Sequence, residues 1–490
     1  MQELFFYLKK LLTSAQLIDL LLQVTNNESL AIISLLAYKI CELQDLCVSK
    51  DKTIAEQKDT IAKQASELAQ KGHPKNSGNS SLPPSSDFAP PKRNQSLREP
   101  TNKKPGGQPG HEGQTLKMSE EPDEIIVYPL PCRCGKCGIE LADFKEELIE
   151  ERQVVEIPPI RPIYKAHRTY RKKCSCGYIN ESAFPAEVNA PIQYGSSVTV
   201  QAVYLHSRQF IPYDRMSEFF EHVMHLPISQ GTLNNMVHRF AQKATPAYEA
   251  IKLAIQQSEY VGADETGCKV DGEKHWFWGW QNDRLTFIIH SESRGYDTVE
   301  LTFPDGLPNA IIGSDRWAAQ LKCAANGRQI CTAHLQRDLN FVEQVHDSQW
   351  AKDFKGLISD AQELKNQLTE CDYANPMPAR DALEKRLEQL LVQPIPAAHN
   401  QAITLQKSLT KLQQYILKFL YHVFVPADNN GSERAVRNIK VKQKVSGQFK
   451  STDGAKDFAV IRSIIDTAIK LGNDVFDELI RIANLVPASG

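Results

Sequence analysis

Apolar residues recur at heptad spacing near the N-terminus. One seam of a predicted long helix consists of Ile40, Cys47, Ile54, Ile61 and Leu68. The second seam, which a coiled coil also requires, begins with Leu36 and Leu43 and continues with polar residues. The pattern predicts either a zipper-like helix that associates with a second copy or a solvated helix that packs on its own domain.

The apolar pattern stops between residues 71 and 117, where Pro, Gly, Ser and Asn dominate. Such a segment cannot bury a core and is predicted to be a linker. Eight Lys or Arg and three acidic residues give it a net charge of +5. The linker is therefore either an arm that follows DNA phosphates or a tail that adds solubility.

Helical periodicity returns from residue 196 to residue 243. Ser229 is placed to cap a helix whose polar side carries Asn234 and Asn235. The preceding helical pattern, YDRMSEFFEHV, completes a pair that resembles a helix-turn-helix, whose second helix enters a major groove. A purely structural helical hairpin is the competing interpretation.

Short β-rich runs begin at Tyr260 and predict a three-stranded meander, a helix and a further strand. An acid ends the first run, Asp264, and another ends the last, Asp315. Carboxylates at strand ends of one sheet can converge and hold Mg²⁺, although strand-end acids often only form turns.

A helical segment from about residue 350 to residue 421 is predicted to be inserted before the next strong signal, a helix that starts after Pro426. Glu433 falls in its first turn, and Arg437 follows on the same face. From Glu433 to Lys456 the sequence contains seven Lys or Arg residues and two acidic residues. This basic segment predicts contact with phosphates, and a solvated helix face is the alternative.

Five cysteines cluster in two knuckles, Cys132-Arg-Cys134-Gly-Lys-Cys137 and Cys174-Ser-Cys176, separated by a strand-like stretch. This pattern is typical of a zinc ribbon, with Cys134, Cys137, Cys174 and Cys176 as ligands. Cys132 is an alternative ligand because the second knuckle is tighter than C-x-x-C. Buried thiols without metal are the competing interpretation.

Composition and charge set the broad class. The chain has 490 residues, 41% of them hydrophobic, and a net charge of −2, so it is predicted to fold into several units and to bind nucleic acid only through local basic patches. It has no run of about 18 apolar residues and no recognisable signal peptide, and its eleven cysteines fit metal ligands and buried thiols better than disulfides. We expect a cytoplasmic protein that does not enter membranes.

Six motifs together resemble the insertion-sequence-66 family of bacterial transposases. They are GADETG at Asp264, GSDRW at Asp315, CTAHLQRDL at His334, NNGSERAVRNIK at Glu433, and NSSLPPSSD and KKPGGQPGHEG in the linker. With the cysteine module, the likeness covers nearly the whole chain in the family's order. The polar half of the zipper seam and the Cys174/Cys176 spacing depart from the family's pattern.

The resemblance implies an RNase H-like catalytic domain with an Asp-Asp-Glu triad of Asp264, Asp315 and Glu433. Two Mg²⁺ ions, or Mn²⁺, held by the triad would support cleavage of phosphodiesters and strand transfer. Residues expected to contact DNA are His334, Arg337, Arg434, Arg437, Lys440, Lys444, Asn234 and Asn235. The implied partners are double-stranded DNA of element ends and target, further copies of the chain, and helper proteins of the same element, in the bacterial cytoplasm at the nucleoid.

The predicted fold class is multidomain α+β. The expected divisions are a helical, zipper-like segment, a basic linker, a zinc-ribbon-like domain, a helical DNA-binding region, the catalytic core, its helical insertion and the rest of the core, at residues 1–70, 71–120, 121–190, 191–258, 259–345, 346–425 and 426–490.

Two other functions fit the same residues. A DNA-binding regulator with a decayed nuclease domain would keep the ribbon and the helix pair, although all three acids are present. An RNase H-like nuclease that cleaves without joining strands would keep the triad.

Overall fold

A computed structural model of the protein describes residues 29–76, 78–80, 110 and 116–485. Residues 1–28 of the predicted zipper-like segment and most of the basic linker lie outside the described residues. The chain divides into two compact units, residues 1–90, 194–212 and 235–490 in the first and residues 91–193 and 213–234 in the second. None of the described helices is long and apolar enough to span a bilayer.

Helices dominate the described residues. The α-helices are α1 Ser29–Gly72, α2 Ser196–Val203, α3 Tyr213–His222, α4 Gln230–Gln256, α5 Tyr296–Thr302, α6 Ala318–Lys322, α7 Thr332–His346, α8 Gln349–Gln367, α9 Pro378–Val392, α10 Asn400–Lys411, α11 Asn430–Ser446, α12 Thr452–Lys470 and α13 Val475–Ala483. The strands are β1 Arg171–Lys173, β2 Ile179–Glu181, β3 Tyr260–Val270, β4 Glu273–Gln281, β5 Thr286–Ser291, β6 Leu307–Ser314 and β7 Ala325–Ile330. Mixed α and β structure in several units agrees with the predicted class.

The heptad seam of α1 faces solvent in the single chain. Ile54, Ile61 and Leu68 are 48%, 64% and 69% exposed. An apolar seam at heptad spacing on an exposed helix face is what a partner helix would cover.

The central sheet has the strand order β5-β4-β3-β6-β7. Strands β3, β4 and β5 form an antiparallel meander, which confirms the meander predicted from the sequence, and β6 and β7 run parallel to β3. Because a parallel neighbour needs a crossover, α5 lies between β5 and β6.

Each face of the sheet is covered by apolar side chains. Trp278 and Trp280 alternate along β4 and are fully buried in the core under one face. Their burial shows that both tryptophans pack in the core. On the other face Phe277 meets residues of α11 and α12, including Val436 and Phe458.

Helices α8 to α10 lie within residues 346–425, the range of the predicted helical insertion, and α7 precedes it after β7. Its helices share a core that includes Trp350, Phe354 and Leu357 of α8 and Leu387 of α9. Helix α8 begins at a cap in which the hydroxyl of Ser348 accepts a hydrogen bond from the Ala351 amide.

Helix α11 packs on β3 and β4 with one face, formed by Ser432, Ala435, Val436, Ile439 and Lys442. The prediction that all cations after Glu433 form one DNA-facing segment is therefore wrong for Lys442, which is only 5% exposed. Its position follows from the helical repeat, because residue 442 lies three positions after the buried Ile439. Burial lowers the pKa of Lys442 to about 8.

Replacing Lys442 by Met should stabilise the fold at neutral pH. A lysine pKa that falls from 10.5 to about 8 on folding means that the folded state holds the charge at a cost of about 3 kcal/mol below pH 8. The unfolded chain binds the extra proton between pH 8 and pH 10.5, so wild-type stability should rise over this range. Stability of Lys442→Met should rise less steeply, because Lys365 and Lys470, whose pKa values are also lowered to about 8, remain. Denaturant unfolding at several pH values measures this, with the exposed Lys444→Met as the control. Equal pH profiles for wild type and Lys442→Met would contradict the assignment.

Candidate active site

Asp264 and Asp315 occupy equivalent positions on neighbouring strands. The ladder between β3 and β6 ends at the pair Gly262–Gly313. Each acid lies two residues beyond this pair, and because side chains alternate with a period of two, both point to the same face of the sheet. Neighbouring strands are about 4.8 Å apart, so the two carboxylates lie close together.

Glu433 reaches the same place from a distant part of the sequence. The side chain of Asn429, 3% exposed, donates a hydrogen bond of 2.7 Å to the carbonyl of Ala263, the residue before Asp264. The Asn429 side-chain oxygen accepts a hydrogen bond of 2.6 Å from the hydroxyl of Ser432, the residue before Glu433. Asn429 therefore joins the strand that carries one acid to the helix turn that carries another.

Gly262 makes this close approach possible. A Cβ at residue 262 would lie 2.5 Å from the Ser432 hydroxyl and 2.8 Å from the Asn429 side-chain oxygen. Any side chain at this position would push α11 away from β3, which explains the glycine before Asp264.

The acids interact electrostatically across the site. Burial raises the pKa of Asp264 well above its ordinary value, and the charges of Glu265, Asp315 and Glu433 raise it further. These effects favour the neutral, protonated form of the Asp264 carboxyl. Among the residues described, no three His, Cys, Asp or Glu side chains are arranged to hold one metal ion.

His334 and Arg337, predicted to hold phosphates, are placed beside Glu433 by the first turns of α7. The Nδ1 atom of His334 lies 3.7 Å, and Nη1 of Arg337 3.8 Å, from Oε1 of Glu433. Neither separation is a hydrogen bond, and Oε1 of Glu433 is a buried atom without a hydrogen-bond partner in the described part of the chain. Burial and the nearby Arg337 lower the pKa of His334, while the acids raise it less.

Glu265, the residue after Asp264, has a carboxylate that other side chains of the protein bind. Its side chain is 2% exposed and accepts hydrogen bonds of 2.9 and 2.6 Å from Arg294 and one of 2.6 Å from Gln320. The Arg294 guanidinium also lies 3.7 Å from the ring centroid of Trp317. Because Arg294 and Gln320 already bind both of its carboxylate oxygens, Glu265 is less available to a ligand than Asp264.

The Arg294 cluster also supports Asp315, a role that sequence reasoning missed. Trp317, on which Arg294 stacks, donates its backbone N–H to Oδ1 of Asp315 at 2.9 Å. Arg316, between them in sequence, forms an ion pair with Asp338 of α7. Nothing in the spacing of Arg294 pointed to Glu265, since 29 residues separate them.

The predicted DNA-contacting cations of α11 fall on two sides of the helix. At about 100° per residue, positions 433, 437, 440 and 444 lie within about 60° of one another. Arg437, Lys440 and Lys444 are exposed and form what we call the basic stripe, in line with Glu433. The Lys440 amino group donates a hydrogen bond to the Gly267 carbonyl. Arg434 is exposed too, but it projects about 100° away from Glu433.

Asn234 and Asn235 are exposed in the second turn of α4. The cap predicted for this helix is present, since the Ser229 hydroxyl accepts a hydrogen bond of 3.2 Å from the Thr232 amide. His238, on the polar side of the same helix, lies 2.8 Å from Asp457 of α12 and is engaged within the fold.

The cysteine knuckles form two separate turns in the second unit. Gly138 and Gly177 close them with φ angles of +74° and +90° and donate backbone hydrogen bonds of 2.9 Å to the carbonyls of Cys134 and Cys174. Hydrogen bonds lower the pKa of two thiols. The backbone of Cys137 has the largest effect on Cys134, and the backbone of Cys176 has the largest effect on Cys174. Strands β1 and β2 flank the second turn. Cys132, the alternative ligand, is exposed.

Comparison with known proteins shows which family this chain resembles. Uncharacterized protein y4jD of Sinorhizobium fredii (strain NBRC 101917 / NGR234) is 22% identical over 390 residues, which cover 72% of this chain and 74% of that protein. Residues 23–117 match a family of unknown function, DUF6444. Residues 191–457, more than half of the chain and all three acids, match the family described as Transposase IS66 family. The chain therefore belongs to the IS66 family of transposases.

Proposed function

We propose that this protein binds the ends of an insertion sequence and catalyses metal-dependent cleavage and transfer of DNA strands, with Asp264, Asp315 and Glu433 as its catalytic acids. The observation that carries the proposal is the convergence of these acids, from β3, the end of β6 and the first turn of α11, in a chain of a transposase family. The sheet supports an RNase H-like core, because a three-stranded antiparallel meander continues into two parallel strands.

The donor set fits Mg²⁺ or Mn²⁺. Hard divalent cations prefer carboxylate oxygens, and the raised pKa of Asp264 and the unpartnered Oε1 of Glu433 are what a cation would relieve. Asp264, Asp315 and Glu433 would hold the metal, as two ions in the expected form. The chemistry that Mg²⁺ supplies when bound is activation of a water or DNA 3′-hydroxyl and neutralisation of charge on the phosphodiester.

The remaining polar residues of the site position the acids and the DNA. The guanidinium of Arg337 and the imidazole of His334 lie near Glu433. Both groups would contact a phosphate next to the scissile bond. Arg294 holds Glu265 away from the metal ligands. Trp317 orients Asp315 through its backbone amide.

DNA binding is divided between two regions. The basic stripe follows Glu433 along α11 and would lie along the sugar-phosphate backbone, while exposed Asn234 and Asn235 of α4 would read element ends. The exposed heptad seam of α1 supports self-association on DNA. We also propose that helper proteins encoded by the same element assist the protein and that it acts at the bacterial nucleoid.

A zinc ribbon in the second unit completes the proposal. Cys134, Cys137, Cys174 and Cys176, with Cys132 as an alternative, would supply four thiolates, and hydrogen bonds already favour the thiolate form at Cys134 and Cys174. Most side chains between residues 116 and 190 are exposed, so this segment lacks a core that could replace a metal.

We expect Asp264→Asn, Asp315→Asn and Glu433→Gln each to reduce Mg²⁺-dependent cleavage and joining by at least about 1000-fold, since each removes a ligand charge worth several kcal/mol. The losses should not add. The unfolding temperature of Asp264→Asn should not fall, because the raised pKa of Asp264 already favours the neutral form that Asn mimics. Cleavage of end-containing duplexes by purified protein measures this.

Glu363→Gln, on the exposed side of α8, is the matched control and should keep full activity. Cleavage without joining by the wild type would identify a nuclease, and end binding without any metal-dependent cleavage would identify a regulator. Substantial cleavage by Glu433→Gln would place the third ligand elsewhere.

We expect about one zinc per chain. A chelator should unfold the ribbon and leave the catalytic domain folded, because the metal replaces a missing core only in the second unit. Elemental analysis of Cys134→Ser and Cys174→Ser, with Cys371→Ser as an exposed control, tests the ligands. Metal-free protein that keeps full DNA binding and an unchanged near-ultraviolet spectrum would exclude a structural zinc site.

Replacing Arg437 and Lys444 by Ala should weaken binding to end and random DNA alike and lower the salt slope by about one for each lost phosphate contact. Lys440→Ala should have a smaller effect, because this amino group already contacts the Gly267 carbonyl. Changes at Asn234 or Asn235 should affect matched ends only. Salt titrations with matched and scrambled duplexes make the comparison; a loss confined to the matched duplex would make the stripe a sequence reader.

A further inference from the structure

A cavity of about 950 Å³ lies on another side of α11 from the catalytic acids. Its lining includes Tyr260 at the start of β3, Thr286 at the start of β5, and Arg434 and Asn438 of α11. Arg434 and Asn438 project about 100° and 140° round the helix from Glu433, so the cavity and the acids use different sides of the same helix.

The cations of the lining differ in what they already bind. Lys365 donates to the carbonyls of Phe419, His422 and Val423, and Lys470 donates to Gln281, Asn282 and Leu285. These two amino groups therefore hold the fold together.

Two guanidinium groups are left. Arg208, half-buried after α2, and Arg434 make no hydrogen bond or ion pair with any other residue that the structure describes. The half-buried amide of Asn438 is equally unpaired within the described ranges. Arg208 has no directly contacting partner of opposite charge and interacts with the Asp466 carboxylate only at longer range, so the desolvation of its charge is compensated only in part.

The acids of the lining do not supply the missing partners. Asp466 is paired with Arg462, and Asp428 accepts hydrogen bonds from the backbone and side chain of Asn430. Glu259 and Asp283 are exposed, where water and salt screen their charges. The unpaired side chains of the described lining, Arg208, Arg434 and Asn438, can all donate hydrogen bonds. Such a set of donors suits an anion.

We propose that this cavity binds a phosphate group through Arg208, Arg434 and Asn438. Guanidinium forks match the oxygens of a phosphate, and an amide donor adds a further hydrogen bond. The phosphate is that of a phosphodiester in the bound DNA, and a free phosphate compound would offer the same chemistry. The DNA assignment rests on the proposed function, while the anion site itself does not.

The position of the cavity predicts which phosphate it holds. Tyr260 precedes Asp264 by four residues of β3, which is about 13 Å along the strand. A DNA strand advances about 3.4 Å for each nucleotide, so a DNA backbone that runs along β3 in this proposal would cover the distance in about four nucleotides. The cavity would therefore hold a backbone phosphate about three to five nucleotides from the one that is cleaved.

Inorganic pyrophosphate tests the anion site without DNA. It should raise the unfolding temperature of the full-length wild type and of Lys407→Gln, a control on the exposed side of α10. Arg208→Gln should bind pyrophosphate at least about 10-fold more weakly and otherwise fold normally, because the Arg208 guanidinium makes no hydrogen bond or ion pair with another described residue. Arg434→Gln should weaken it similarly. Pyrophosphate binding by Arg208→Gln equal to that of wild type would overturn the anion site, whatever the protein does to DNA.

DNA with single neutral methylphosphonate linkages tests the assignment to the backbone. A neutral linkage about three to five nucleotides from the cleavage site should weaken wild-type binding several-fold and leave binding by Arg208→Gln unchanged, as a coupled pair requires. Losses that simply add would overturn the DNA assignment and leave the cavity to a free phosphate compound. Absence of all DNA binding by the wild type would instead refute the proposed function, which the pyrophosphate result does not depend on.

Discussion

The hydrogen bonds of Asn429 are the contact on which the catalytic geometry depends. One buried amide joins the carbonyl before Asp264 to the hydroxyl before Glu433, and it does so across 166 residues of sequence. The bare backbone of Gly262 allows this approach. Asp315 lies two residues beyond Gly313, the last residue of β6 that pairs with β3. The sheet and one helix turn therefore determine where all three acids lie.

The residues around the acids leave the carboxylates of Asp264 and Glu433 without an ion pair at hydrogen-bond distance. Glu265 is taken out of the cluster by Arg294 and Gln320, whereas Asp264 has no cation of its own and its pKa is raised. Arg337 stays 3.8 Å from Glu433, beyond a hydrogen bond. A site that keeps some carboxylates uncompensated while it neutralises a neighbour is suited to an incoming cation.

The sequence could predict the parts that depend on local pattern. Asp264 and Asp315 follow β-rich runs, and Glu433 stands in the first turn of a helix with recognisable start signals, so their elements were predictable. The burial of Lys442 was not, because it lies among six exposed or surface cations and only packing of α11 on the sheet selects its face. The partnership of Arg294 and Glu265 was also hidden, since side chains 29 residues apart meet only through the fold of the meander.

Diffraction from crystals soaked in Mn²⁺, with anomalous data collected at the manganese edge, tests the central claim most directly. We expect manganese in contact with the carboxylates of Asp264, Asp315 and Glu433, while Arg294 remains bound to Glu265. Manganese held by Glu265, or a Glu433 that remains against Arg337 while metal binds elsewhere, would contradict it.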